Sequence, residues 1–159
     1  MASLERHMTA SAGSDEVLLS RYRRAVAACA VMNLRQASRA ITSFYDAALR
    51  PAGLRATQLN ILMAIEVGAP TTVSAIAEIV GTDRTTMTRN VQLLRKRGLI
   101  ETKRVTLTAR GRAAAAAALP LWERAQATVV DSLGGNRWTA LLKELAAAKA
   151  AVKTRPRRD

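Results

Sequence analysis

Arg84, Thr85, Thr86, Thr88, Arg89 and Gln92 bring two guanidinium groups, three hydroxyls and a carboxamide together in a short run of chain. Met87, Val91 and Leu94 are interleaved with them at i, i+4 and i+7, the spacing of one helix face. On a helix the polar groups therefore take the side opposite the apolar ones. Threonine hydroxyls reach phosphate oxygens and their methyls touch thymine, while a guanidinium grips guanine through two bonds or holds a phosphate. Most charged helix faces are simply solvated, so the neighbouring chain must decide. Upstream, Thr72 and Ser74 open a short apolar helix that ends near Val80, Gly81 supplies a tight turn, and Asp83 is placed to cap the next helix. Two short helices across such a turn can lay the second in the major groove of duplex DNA. The candidate DNA-binding set is Thr72, Ser74, Arg84, Thr85, Thr86, Thr88, Arg89 and Gln92, joined by Lys103 and Arg104 just downstream.

Those last two residues fall in Gly98–Thr108, which reads as a small β-hairpin, and a helix-turn-helix followed by a hairpin is a winged helix. The turn is unusual. Glu101-Thr102-Lys103 runs straight into Arg104-Val105-Thr106, whereas a two-residue hairpin turn favours Asn-Gly or paired glycines, because φ must be positive. Either the wing is stunted or residues are missing between Lys103 and Arg104. In both cases an irregular junction is expected there.

The elements around this module are long helices. Tyr22, Val26, Cys29, Ala30, Leu34, Ala37, Ile41, Phe44, Tyr45 and Ala48 form one stripe on a single helix from about Glu16 to Leu49, which Pro51 and Gly53 end. A helix from Thr57 to Val67 turns Leu59, Leu62, Met63 and Val67 inward. The helix after Asp83 runs from Arg84 to Arg97. An alanine-rich helix follows from Ala109 to about Val130, with Pro120 expected to kink it. After Gly134-Gly135, Asn136 can cap a last helix carrying Trp138, Leu141, Leu142, Leu145, Ala148 and Val152 on one face. Lys153 to Arg158 reads as a disordered basic tail. Residues 1–14 read as a disordered segment or a cloning remnant, 15–54 as an N-terminal dimerisation helix, 55–108 as the winged module and 109–159 as C-terminal dimerisation helices and tail. The terminal stripes exceed what the small middle module can cover, and a two-fold homodimer satisfies them most simply.

Bulk properties restrict the function classes. The chain has 159 residues and a formal net charge of +13, which favours a polyanionic partner. No segment approaches the length of an apolar membrane span, and no signal-peptide pattern opens the chain, so a cytoplasmic protein without a membrane is expected. Aromatic residues make up 3% of the chain, too few for a base-stacking surface of the RNA-binding kind. The one cysteine excludes an internal disulfide framework, and the one histidine, His7, lies outside the expected fold. No metal cluster, phosphate-binding loop or nucleophile elbow is present in the sequence, so neither an enzyme, a metal site nor a cofactor is expected.

Asn33 to Ala40, Leu49-Arg50-Pro51-Ala52-Gly53-Leu54, Thr57 to Leu62, Asp83 to Arg89, Arg97-Gly98-Leu99-Ile100 and Val105 to Gly111 stand in the order and near the spacing of one known family. Over roughly Ala27 to Gln126 the sequence resembles the multiple antibiotic resistance regulator (MarR) family of winged-helix transcription factors. The resemblance implies a mainly α fold with a small β-hairpin wing: a winged helix-turn-helix plus a helical dimerisation region. It also implies a dimeric regulator, most often a repressor, released from a pseudo-palindromic operator by a small ligand or an oxidant. Family wings usually carry a longer loop, so the minor-groove arginine of the wing cannot be carried over. Met32, Gln36 and Met63 are candidates to line an effector pocket, against the plainer reading of ordinary core methionines. Cys29 is a candidate oxidant sensor, against the plainer reading of a small buried hydrophobe. A non-specific architectural DNA-binding protein is the alternative that charge alone supports.

Overall fold

A computed structural model describes residues 2–70 and 72–153, with side chains over 15–70 and 72–152. The elements are α1 (Ala2–Ala28), α2 (Ala30–Leu49), a 3-10 turn (Arg50–Ala52), α3 (Ala56–Gly68), α4 (Val73–Val80), α5 (Arg84–Lys96), α6 (Ala109–Leu133) and α7 (Gly135–Lys153). The chain divides into two compact units between Ser43 and Phe44.

The first unit holds α1 and most of α2. The expected single helix from Glu16 to Leu49 is instead two helices, and the first begins at Ala2, inside the stretch 1–14 that reads as a disordered segment or a cloning remnant. The break falls at Cys29. Its amide reaches back only three residues, to the Val26 carbonyl at 3.4 Å. The Asn33 side-chain amide donates to the carbonyls of Ala27 (3.1 Å) and Cys29 (2.9 Å). A short carboxamide that competes for backbone carbonyls interrupts a helical ladder in this way. The apolar stripe is present but uncovered within the chain: Tyr22 is 59% exposed, Val26 53% and Leu34 51%, far from core values.

The second unit has the core. Its fully enclosed side chains include Leu49, Leu59, Ile61, Leu62, Ile76, Met87, Val91, Leu94 and Ile100. α4 packs on α5, and α3 packs on both α4 and α6. The buried stripe of α3 is Gln58, Leu59, Ile61, Leu62 and Ile65. Met63 is therefore half-buried, and Val67, expected inward, is 89% exposed because it lies off that stripe. The one buried polar side chain of this helix is put to use. Gln58 Oε1 accepts from the Arg55 amide and from Arg97 Nη1, each at 3.1 Å. The Ala56 amide at the helix start donates to Asp46 Oδ1 at 2.7 Å, which satisfies a group that the helix itself leaves open.

Among the described residues there is no β-strand. Between α5 and α6 a single antiparallel bridge joins Ile100 to Leu107. Two main-chain bonds flank it, Glu101 N–H to the Thr106 carbonyl (2.9 Å) and Thr108 N–H to the Leu99 carbonyl (3.2 Å). The expected hairpin is thus cut to its stem. Thr102 to Thr106 is a run of bends, consistent with poor turn chemistry at Lys103–Arg104, and the 159-residue sequence is continuous there. α6 starts on Thr108, whose hydroxyl accepts the Gly111 amide (2.9 Å) and donates to the Gly98 carbonyl (2.7 Å). It runs through Pro120 without ending there. α7 begins at Gly135 rather than at an Asn136 cap, after Gly134 turns the chain at φ 81°. Its Leu141, Leu142 and Leu145 are all exposed, and Trp138 is half-buried. Of the expected basic tail, Thr154 to Arg158 lies outside the described residues. No single described helix is long and apolar enough to cross a membrane.

Candidate nucleic-acid interface

The α4–turn–α5 unit is built by three local devices. Thr72 caps α4 by accepting the Ala75 amide at 3.1 Å. Gly81 sits at φ 76°, a left-handed conformation that glycine adopts without steric cost, and its amide closes α4 on the Ala77 carbonyl. Asp83 caps α5 by accepting the Thr86 amide at 2.8 Å. Hydrogen bonds from Thr86, its side chain first and its amide second, hold the exposed Asp83 carboxyl below the ordinary carboxylate value. The cap therefore stays ionised, and a negative charge at a helix N-terminus complements the helix dipole.

With α5 started there, its two faces separate as the spacing required. Met87 and Val91 are 1% exposed and Leu94 is fully enclosed. Arg84, Thr85, Thr86, Arg89 and Gln92 are exposed on the other side, as are Thr72 and Ser74 at the start of α4. Thr88 is half-buried, and its hydroxyl donates to the Arg84 carbonyl at 2.8 Å, so it is partly committed to its own helix. Lys103 and Arg104 are exposed in the loop that the Ile100–Leu107 bridge closes. The surface offers guanidinium and ammonium cations beside exposed hydroxyls, of which those of Thr72, Thr86 and Thr88 also bond within their own helix starts or turns. Phosphate and base edges are the partners for which that mixture is suited.

Two arginines outside the candidate DNA-binding set anchor the end of α5. Arg97 ties the end of α5 to the turn before α3 through Gln58 and the Gly53 carbonyl (2.8 Å). Arg95 donates from Nε to the Glu101 carbonyl at 3.0 Å, and its Nη2 lies 3.5 Å from the Arg104 carbonyl. Both sit in the basic run Arg95-Lys96-Arg97, which by pattern alone is a solvated helix end.

The residues proposed for a small molecule do not share one compact unit. Met32 and Gln36 are exposed on α2 in the first unit. Met63 lines a cavity of about 440 Å³ in the second unit, with Leu62, Glu66, Val67, Leu107, Arg112 and Leu119 among its walls. Cys29 is half-buried at the helix break in the first unit. Among the described residues there is no group of side chains able to hold a metal ion.

This is the arrangement of a helix-turn-helix module followed by a short β-bridge. The family model that matches, over residues 52–111, is that of the MarR family. The M. tuberculosis transcriptional regulator MosR is 38% identical, with 82% of this chain and 99% of that one aligned at a TM-score of 0.72. The same regulator solved in complex with DNA aligns at 0.71, over 79% of this chain and 96% of that one, again at 38% identity. The transcriptional repressor CouR bound to p-coumaroyl-CoA is 24% identical, covers 79% of this chain and 95% of that one, and has a TM-score of 0.73, a likeness of fold. No curated protein matches the sequence. The chain belongs to the MarR family of transcriptional regulators and is not an enzyme.

Proposed function

We propose that this protein is a homodimeric, sequence-specific repressor whose α5 helix enters the major groove and whose Lys103–Arg104 loop, the wing, meets the adjacent backbone or minor groove. The observation that carries the reading is the division of α5: Met87, Val91 and Leu94 are buried, while Arg84, Thr85, Thr86, Arg89 and Gln92 face out. In this reading Arg84, near the helix start, positions the protein on phosphate, and Arg89, one turn further, reads a base edge. Thr72 and Ser74 contribute phosphate contacts at the start of α4. The formal charge of +13 supplies the sequence-independent attraction. The DNA-bound MosR structure supports the same partner for this chain.

The dimer reading rests on the uncovered stripes. Val17, Leu18, Leu19, Tyr22 and Val26 on α1, and Leu141, Leu142 and Leu145 on α7, are apolar and exposed in the single chain. A second copy of the same chain covers apolar faces of this kind and gives a two-fold pair of α5 helices. Such a pair calls for a pseudo-palindromic operator with half-sites about one helical turn apart.

Release by a small molecule is assigned to the cavity beside Met63. Its walls include Leu107, at the base of the wing, and Arg112, whose Nη1 donates to the Leu107 carbonyl at 3.1 Å. A molecule seated against that pair acts directly on the stem that carries Lys103 and Arg104.

Selection of fragments from genomic DNA of the source organism with purified full-length protein tests the reading. A palindromic motif bound about a thousandfold or more over random DNA at fixed salt is expected. Uniform binding of all fragments would replace it with an architectural role.

A further inference from the structure

We propose that Arg95 is a positioning residue for DNA binding: it holds the truncated wing against α5, taking over the work that a longer strand ladder does in a full hairpin. The inference rests on the DNA-binding reading of Lys103 and Arg104.

The stem between α5 and α6 has one β-bridge and two main-chain hydrogen bonds. An isolated two-stranded hairpin is marginal even with a full ladder. A stem this short cannot by itself hold two repelling cations, Lys103 and Arg104, in one place. Each side of the stem is instead tied down by an arginine from a flanking helix. Arg112, on α6, donates to the Leu107 carbonyl on the returning side. Arg95, in the last turn of α5, donates to the Glu101 carbonyl on the outgoing side and approaches the Arg104 carbonyl beyond the tip. A guanidinium suits this role because its planar fork presents several N–H donors in fixed directions. Arg95 is half-buried, and the two carbonyls it addresses lie on opposite limbs of the loop. Its position fixes the loop relative to the helix that carries Arg89. Of the ties on the stem, Arg95 is the one that sets the distance between the groove-reading helix and the wing directly.

A positioning role and a direct phosphate contact give different results. The test is operator affinity as a function of salt for the full-length dimer, using the fragment recovered by genomic selection. Removing two phosphate contacts lowers the slope of log affinity against log salt by about two units per protomer. Lys103→Ala with Arg104→Ala is expected to produce that fall. Arg95→Ala is expected to match it, although Arg95 meets no phosphate, and adding Arg95→Ala to the double variant is expected to change the slope no further. Arg95→Lys keeps the charge and loses the fixed fork, and it is expected to behave as the alanine variant does. Thermal melts confirm that each variant folds, and Arg95→Lys serves where the alanine variant does not.

A native slope in Arg95→Lys, or additive losses in the triple variant, would overturn the proposal and make Arg95 an ordinary cationic contact. A native slope in the Lys103, Arg104 double variant would overturn it as well, by removing the wing from the DNA. Arg89→Ala measured alongside separates these failures from failure of the DNA-binding reading, since it weakens binding whether or not the wing takes part.

Discussion

Gly111→Ala is expected to destabilise the second unit by about 2 kcal/mol, although it places a better helix former inside a helix. Gly111 lies in the first turn of α6 and is buried. A Cβ added there would stand 2.0 Å from the Leu99 carbonyl oxygen and 2.9 Å from its carbon, both backbone atoms. Leu99 cannot yield freely. Its side chain is 3% exposed in the core, and its carbonyl accepts the Thr108 amide at 3.2 Å. Relief requires that carbonyl to withdraw by on the order of 1 Å, well beyond what packed atoms tolerate without losing contact. Overpacking of this kind costs about 1–3 kcal/mol. Weakening the Thr108 bond adds about 1 kcal/mol. The gain in helix propensity returns about 1 kcal/mol. For a chain of this size the net corresponds to a melting temperature lower by about 4–8 °C. Gly135→Ala is the control: it too is a helical glycine, but nothing lies within 4 Å of the added atom. It is expected to be neutral or stabilising by up to about 1 kcal/mol. Urea and thermal unfolding of the two variants measure the difference. If Gly111→Ala melted with or above the native protein, the close approach of α6 to the wing stem would be wrong.

Ala69 ends α3 at φ 40°, ψ 45°, the left-handed region that disfavours a Cβ. Ala69→Gly should therefore raise stability by up to about 1 kcal/mol after the entropy of the unfolded glycine is counted, and a lower melting temperature would contradict that. The depressed Asp83 carboxyl contributes stability that is present above its unfolded value, near 4, and lost as pH falls through its folded value. Asp83→Asn keeps a capping oxygen, so its melting curve should parallel the native one at neutral pH and lose less below about pH 4. An identical acid profile for both proteins would remove Asp83 from the pH response. Leu142→Glu with Leu145→Glu alters residues that are 48% and 40% exposed and lie outside the core cluster. Sedimentation is expected to show a dimer for the native chain and a folded monomer for the variant at the same concentration, and a variant that stays dimeric would place the interface elsewhere.

Much of the helix-turn-helix module was legible because its signals are local. Thr72, Gly81 and Asp83 punctuate α4 and α5 by capping and turn chemistry, and Met87, Val91 and Leu94 fix the buried face by spacing alone. The break at Cys29 was not legible, because apolar periodicity continues across it. The interruption comes from Asn33, whose carboxamide reads as an ordinary helical residue until its donors are seen on Ala27 and Cys29. Val67 was misplaced for a related reason: α3 is apolar on several sides, and only the packing of α4 and α6 selects which side is inward. Gln58 carried a weak signal, since a glutamine at the third helical position can return a bond to the residue before the helix. Arg95 and Arg97 carried none, because their acceptors are main-chain and glutamine oxygens brought near by tertiary folding. The wing was half legible. Its poor turn residues foretold irregularity, while the reduction to a single bridge depends on how α5 and α6 hold its ends.

Whether the exposed face of α5 reads DNA is decided by Arg89→Ala. Arg89 lies between Met87 and Val91 in sequence and opposite them on the helix, so its loss leaves the core untouched. Titration of the genomic-selected operator at two salt concentrations, beside a thermal melt, is the measurement. An unchanged melt, a loss of about 1–3 kcal/mol in operator binding and relaxed preference at one base pair per half-site are expected. Native affinity together with a native melt would contradict this and take this face of α5 off the DNA.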